Sequence, residues 1–208
     1  MNSKKIFLSL ILVCLSFSLF SQEKADALKL YRKGDYLKAA EVCQSEIEVK
    51  PNNVDSYVVL CWALIANHQY AEAEVWGNKA RTIAPNDARV IKNLAESKYY
   101  QGKNDEALEL FQTYISNVRN DSKDIASIYY FLGEIYIRKG YFHHADIAFS
   151  QAVMMSPLKD VWWVRLGYAR EMAKDYKLSL KAYDKALTLN SQNAEAKSGK
   201  ARVLPHIR

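Results

Sequence analysis

Three kinds of residue in this 208-residue chain could carry chemistry through their type and spacing. Cys43 and Cys61 lie in neither a CxxC nor a zinc-ligand spacing. They read as small apolar packing residues, with a Cys43 to Cys61 disulfide as the alternative in an oxidising compartment. His143 and His144 are adjacent, and neighbouring side chains on a helix point in different directions, so the two imidazoles do not converge on one metal ion. Trp162 and Trp163 are also adjacent. They read as one ring facing a groove or core and one facing a neighbouring element, not as a sugar platform. The chain has no nucleophile elbow, no phosphate-cradling glycine loop and no metalloprotease signature. The expectation is therefore no enzyme, no cofactor and no metal. What remains is recognition by rings and charges, which requires a scaffold to display them.

The composition fits such a scaffold. Half the residues are hydrophobic and a quarter are charged, enough to bury a core and stay soluble. Only seven glycines and four prolines are present, which favours long helices over turn-rich sheet. The N-terminus differs: Lys4 and Lys5 precede an uncharged run from Ile6 to Phe20, and charges begin soon after Ser21. This is the layout of a secretory signal peptide over residues 1–21, cut near Ser21 or Ser18. The run is shorter than the roughly 17 to 25 residues of a membrane span and is diluted by Ser9, Ser16 and Ser18. An uncut inner-membrane anchor facing the periplasm is the alternative. Val13 stands where a lipid-modified Cys14 would need a small residue. Loss of the leader takes 29 basic residues to 27 against 23 acidic, a mild net charge of +4. That is not the basic stripe of a nucleic-acid binder.

The positioning elements emerge when the chain is compared with itself. Gly34, His68, Gly102, Gly140 and Lys174 fall at spacings of 34, 34, 38 and 34. The same register aligns Ala39, Ala73, Ala107, Ala145 and Ser179, and also Ala27, Cys61, Ala95, Gly133 and Gly167. Pro51, Pro85 and Pro157 recur at unit ends. The fourth unit shows the pattern most fully, with Tyr129, Leu132, Gly133 and Tyr136 followed by Ala145, Phe149, Ala152 and Pro157.

A 34-residue period with these small-residue columns resembles the tetratricopeptide repeat, a helix-turn-helix unit. The resemblance covers about residues 22–204 and implies an all-α, right-handed superhelical solenoid of five units, about 22–53, 54–87, 88–125, 126–159 and 160–193. A polar capping helix with Lys197, Lys200 and Arg202 follows at about 194–204. Antiparallel helices approach closely only over small side chains, so Gly133 should face the region of Ala145 and Ala152, and leucine there should overpack. Glycine at Gly34, Gly102 and Gly140 supplies left-handed backbone, the prolines stop second helices, and Asn53 and Asp87 are placed to cap. Asp26 replaces an expected leucine, so the first helix should fray. Unit three has Tyr114 where alanine is usual and is followed by extra residues in Asn120 to Asp124, predicting a longer second helix or a polar loop and a change of curvature.

The resemblance also implies a concave groove lined by first helices, holding an extended peptide or a helix. Asp55, Val58, Val59, Trp62 and Ile65 map onto it, as do Arg89, Lys92, Asn93, Glu96, Tyr99 and Tyr100. Tyr130, Phe131, Glu134, Ile137 and Arg138 follow from unit four, and Val161, Val164, Arg165, Tyr168 and Glu171 from unit five. Aromatics and arginines are the types enriched at hot spots, and a partner with apolar anchors and some acids would suit them. The carboxylate clamp of chaperone adaptors is not matched. Lys24 fits its first place, but Leu28 and Val59 occupy the asparagine places, and Val58 or Phe131 intrudes in later registers. An RNA-binding helical repeat has almost the same unit length, but the closing prolines, small columns and leader count against it. The sequence thus predicts an exported scaffold or adaptor binding a protein or peptide partner in a bacterial envelope.

Overall fold

The computed structural model describes residues 26–119 and 123–207. The leader, Cys14, Lys24 and Asn120 to Ser122 lie outside the described residues. Among the described residues there are only helices and turns: α1 (Ala27–Lys33), α2 (Tyr36–Val49), α3 (Val54–Ala66), α4 (Tyr70–Ile83), α5 (Ala88–Tyr100), α6 (Asn104–Asn117), α7 (Ile125–Arg138), α8 (Phe142–Met155), α9 (Asp160–Met172), α10 (Tyr176–Leu189) and α11 (Ala194–Val203). A 3-10 turn over Leu204–His206 follows. The helices pair in sequence as antiparallel hairpins, and α11 lies against the last one.

Local chemistry sets the boundaries. Gly34, Gly102 and Gly140 adopt φ of 87°, 76° and 75°, and His68 and Lys174 hold the same left-handed conformation at 62° and 64°. At each of these corners the chain bonds back across the helix end, as where Asp35 N–H donates to the Leu30 carbonyl at 3.0 Å. α2, α4 and α8 stop at Val49, Ile83 and Met155, each two residues before a proline. Asp87 caps α5 through the Arg89 N–H at 2.9 Å. Asn53 does not cap as expected: its amide donates to Ser56 Oγ at 2.7 Å, and that hydroxyl donates to Glu46. Asp26, read as a lost core residue, instead caps α1 by accepting from Lys29 N–H at 3.0 Å. That cap opposes the fraying expected of α1.

The two small columns form the inner seam of each hairpin. Ala39, Ala73, Ala107, Ala145 and Ser179 are fully buried, and the Ser179 hydroxyl reaches across to the Gly167 carbonyl at 2.7 Å. The seam differs from expectation in one respect. A Cβ on Gly133 would meet the Phe149 ring at 2.6 Å, so it is this ring, rather than the alanines, that requires glycine. Tyr183 occupies the same place in the last hairpin, 2.7 Å from a Cβ on Gly167 and 2.2 Å from one on Gly199 of the capping helix.

Cys43 and Cys61 are buried free thiols that pack. Burial raises both to about 12, so they stay protonated.

The insertion does not lengthen its helix, because α6 has 14 residues like α4 and α8. The extra residues fall between α6 and α7, which touch far less than the other consecutive hairpins do. Buried Tyr114 and the Phe131 ring, stacked on Phe111 at 5.3 Å, fill that junction with bulk where small residues would let backbones close up.

Candidate binding groove

First helices of neighbouring units touch each other, α1 with α3 and α3 with α5, and α9 touches α11, while second helices make no comparable contact. First helices therefore lie on the inner curve. Rings meet at each junction between units, between first helices at three of them and between Tyr70 of the second helix α4 and Tyr100 at the other. Tyr31 packs on Trp62 at 5.9 Å; Tyr70 stacks on Tyr100 at 4.7 Å; Tyr99 meets Phe131 edge-on at 4.8 Å; Tyr130 stacks on Trp162 at 5.1 Å. Each contact bridges two units, so the rings knit the solenoid together. Tyr100 is the most open, with 44% of its surface exposed.

Most of the charges are paired, some across units and some within one, which position in the repeat alone did not reveal. Arg165 grips Glu134 with two hydrogen bonds of 2.5 and 2.8 Å, beside Tyr130, whose phenol burial and that carboxylate push up. Arg89 is held by Asp55 and Asp87, both at 2.7 Å. Lys92 lies 3.8 Å from Glu96 and 3.0 Å from Asp124, so the last residue of the insertion supplies a groove carboxylate. Burial pushes Glu96 above its ordinary range although Lys92 opposes the shift. Arg138 differs from the others. It lies 4.0 Å over the Tyr99 ring and donates to the Tyr99 carbonyl and Asn104, with no carboxylate partner among the described residues.

Several expected contact residues are interior. Tyr99 is only 7% exposed and supports Arg138 and Tyr100 from beneath. Asn93 is buried between units, donating to the Val58 carbonyl at 3.1 Å, and Val58 and Val164 are buried too. Trp62, Lys92, Tyr130, Glu134, Arg165 and Tyr168 are half-buried, and Arg89 and Arg138 are exposed. Tyr168 receives Arg165 at 5.3 Å from its ring. The sequence did not reveal Tyr70, a second-helix residue that reaches Tyr100, because its position is outside the first-helix pattern. A recess of about 540 Å³ opens at the N-terminal end, lined among others by Leu28, Val59, Trp62 and Arg89. Among the described residues no cluster of three His, Cys, Asp or Glu could hold a metal, and no helix is long and apolar enough to cross a membrane.

Stacked helical hairpins with small-residue seams define an all-α solenoid fold of tetratricopeptide type. The tetratricopeptide repeat family matches residues 126–157. Over 161 residues the chain is 26% identical to anaphase-promoting complex subunit 3 of Schizosaccharomyces pombe, a match covering 76% of this chain and 23% of that protein. It is 29% identical over 104 residues to the chloroplastic tetratricopeptide repeat domain-containing protein PYG7 of Arabidopsis thaliana, covering 50% of this chain and 33% of the relative. The matched segments thus span at most a third of these relatives' lengths. The fold is similar to pilF of Pseudomonas aeruginosa, with a TM-score of 0.74 at 16% identity over 86% of this chain and 80% of that one. MamA is similar with a TM-score of 0.68 at 21% identity over 81% and 90% of the two chains. YrrB, described as a TPR protein with an unusual peptide-binding site, gives 0.71 at 14% identity over 80% and 84%.

Proposed function

We propose that this chain is an exported scaffold that holds an extended segment of a protein partner along its inner face. The observation that carries this reading is the line of rings from Tyr70 through Tyr100 and Phe131 to Tyr130 and Trp162, with Arg138 held above Tyr99. Rings fixed by their neighbours give contact area at little entropic cost on binding, and an arginine without a carboxylate partner offers a charge to a guest. Arg89, Lys92 and Arg165 already have carboxylates, so the guest's acids meet Arg138 while its apolar side chains meet Tyr100. The peptide-binding site of YrrB, a fold neighbour, is consistent with this use.

The leader-like sequence at residues 1–21 supports export, and in this reading the scaffold works in a bacterial envelope, assembling or maintaining a multiprotein structure. Crosslinking and pull-down from native envelopes tests the groove: Tyr100→Ala, Tyr130→Ala and Arg138→Ala should each lose the partner without unfolding the helices. Unchanged recovery from all three would overturn the assignment. The mass of the mature protein tests export. A leader-less mass fits a free scaffold, and a full-length mass in the membrane fraction means an anchored assembly factor.

A further inference from the structure

The outer face of the fourth unit breaks the pattern of its neighbours. Ile147 and Met154 are 64% and 67% exposed and lie seven residues apart on one side of α8, and Leu158, in the turn that follows the helix, is 81% exposed. In the other units the places of Ile147 are taken by Glu41, Val75, Glu109 and Lys181, and those of Met154 by Glu48, Thr82, Ser116 and Thr188. Apolar side chains this open, in a row and with no lysine, arginine or acid among them, mark an interface rather than ordinary surface.

The flanks of this row carry opposite charges. On one side α10 exposes Lys177, Lys181 and Lys185 at four-residue spacing, with no ion-pair partner among the described residues. Arg170 fixes the two helices side by side, bonding Asp146 and Ser150 of α8 at 2.7 and 3.2 Å and the Leu178 carbonyl of α10 at 3.5 Å. On the other side α6 exposes Asp105 and Glu109, and Asp105 pairs with Lys139 just before α8. Asp105 and Lys177 occupy the same place in their repeats, as do Glu109 and Lys181, so acids and lysines stand at the same height on either side of the apolar row.

We propose that this face binds a second copy of the chain about a two-fold axis parallel to α8. That rotation lays Ile147 and Met154 against their own counterparts and brings each lysine row over the partner's acidic pair. A two-fold axis across α8 would instead set lysines on lysines. A planar anionic membrane fits less well, since covering the lysines would press it onto Asp105 and Glu109. The dimer leaves the inner faces free, so one assembly displays two grooves.

Light scattering and sedimentation of the full chain across a range of concentrations should show a monomer-dimer equilibrium. Ile147→Glu with Met154→Glu should give a monomer with unchanged helix content. Lys177→Glu with Lys181→Glu, and separately Asp105→Lys with Glu109→Lys, should each weaken the dimer by about tenfold or more, and mixing the two variants should restore a heterodimer. A wild-type chain monomeric at every concentration would overturn the proposal, and so would a dimer indifferent to Ile147→Glu with Met154→Glu. Wild-type monomer that floats with acidic vesicles would assign the face to a membrane, and monomer that captures another protein through Ile147 would assign it to a heterologous helix. Either result also overturns the second copy. Because Tyr100 belongs to the groove rings and Ile147 and Met154 to the outer side of α8, loss of dimer through Ile147→Glu with Met154→Glu and loss of groove binding through Tyr100→Ala are read separately.

Discussion

Gly133→Ala provides a sharp test of the hairpin seam. In an open helix this change stabilises by about 1 kcal/mol, because alanine loses less backbone freedom on folding. Here the added methyl would sit 2.6 to 2.7 Å from three carbons of the Phe149 ring. That ring is fully buried and lies 5.5 Å, edge to face, from Tyr130, which is itself stacked on Trp162. It cannot retreat without moving the groove rings, so the overpacking cost of about 1–3 kcal/mol exceeds the helical gain. The net expected loss is about 1 kcal/mol, or a fall in Tm of about 2–4 °C for a chain of this size. Gly77→Ala is the internal control: its methyl would lie 3.3 Å from the end of the Leu94 side chain, which can shift, so the two terms nearly cancel. Calorimetry of both variants decides the matter. A Tm for Gly133→Ala above wild type, or equal falls for the two, would refute the reasoning that the seam is set by ring against glycine.

Three further expectations follow from the same geometry. Lys174→Gly relieves a left-handed backbone at φ of 64° and should raise stability by about 0.5–1 kcal/mol, measured by thermal melts, whereas Gly140→Ala should lower it. Glu74 is held at about 2: burial favours protonation, but hydrogen bonds from Lys103, Lys98 and Gln101 outweigh it. Its folded pKa is depressed, so its contribution is full above the unfolded value of 4.5 and is lost as pH falls from there towards 2. Glu74→Gln should therefore flatten that part of a stability-versus-pH curve. The Cys43 and Cys61 thiols, raised to about 12 and buried, should resist alkylation in the folded chain at pH 8 and react fully in denaturant, as read by peptide mass.

The fold was legible in the sequence because its physics repeats. Five agreeing left-handed corners, including non-glycine His68 and Lys174, and two buried small columns all share one register, at spacings of 34, 34, 38 and 34. The site was only half legible. Position in the repeat nominated Trp62, Tyr100, Tyr130 and Arg138 as groove candidates, but it could not tell an exposed ring from one wedged between units. Tyr99 and Asn93 went inside because the neighbouring helix covers them. Charge pairing was hidden for the same reason. Arg165 and Glu134 are 31 residues apart and Lys98 is 24 from its partner Glu74, and only stacking shows which acid meets which base. The insertion was visible as four extra residues, yet the sequence did not show that Asp124 would turn into the groove towards Lys92.

On this reading the inner face, not the outer, holds the partner. A photoreactive side chain placed at Tyr100 or Arg138 on the inner curve, and at Val75 on the exposed outer side of α4, tests this in native envelopes. A discrete crosslink to a foreign protein is expected from positions 100 and 138 and none from 75. A foreign adduct from position 75 alone would contradict it.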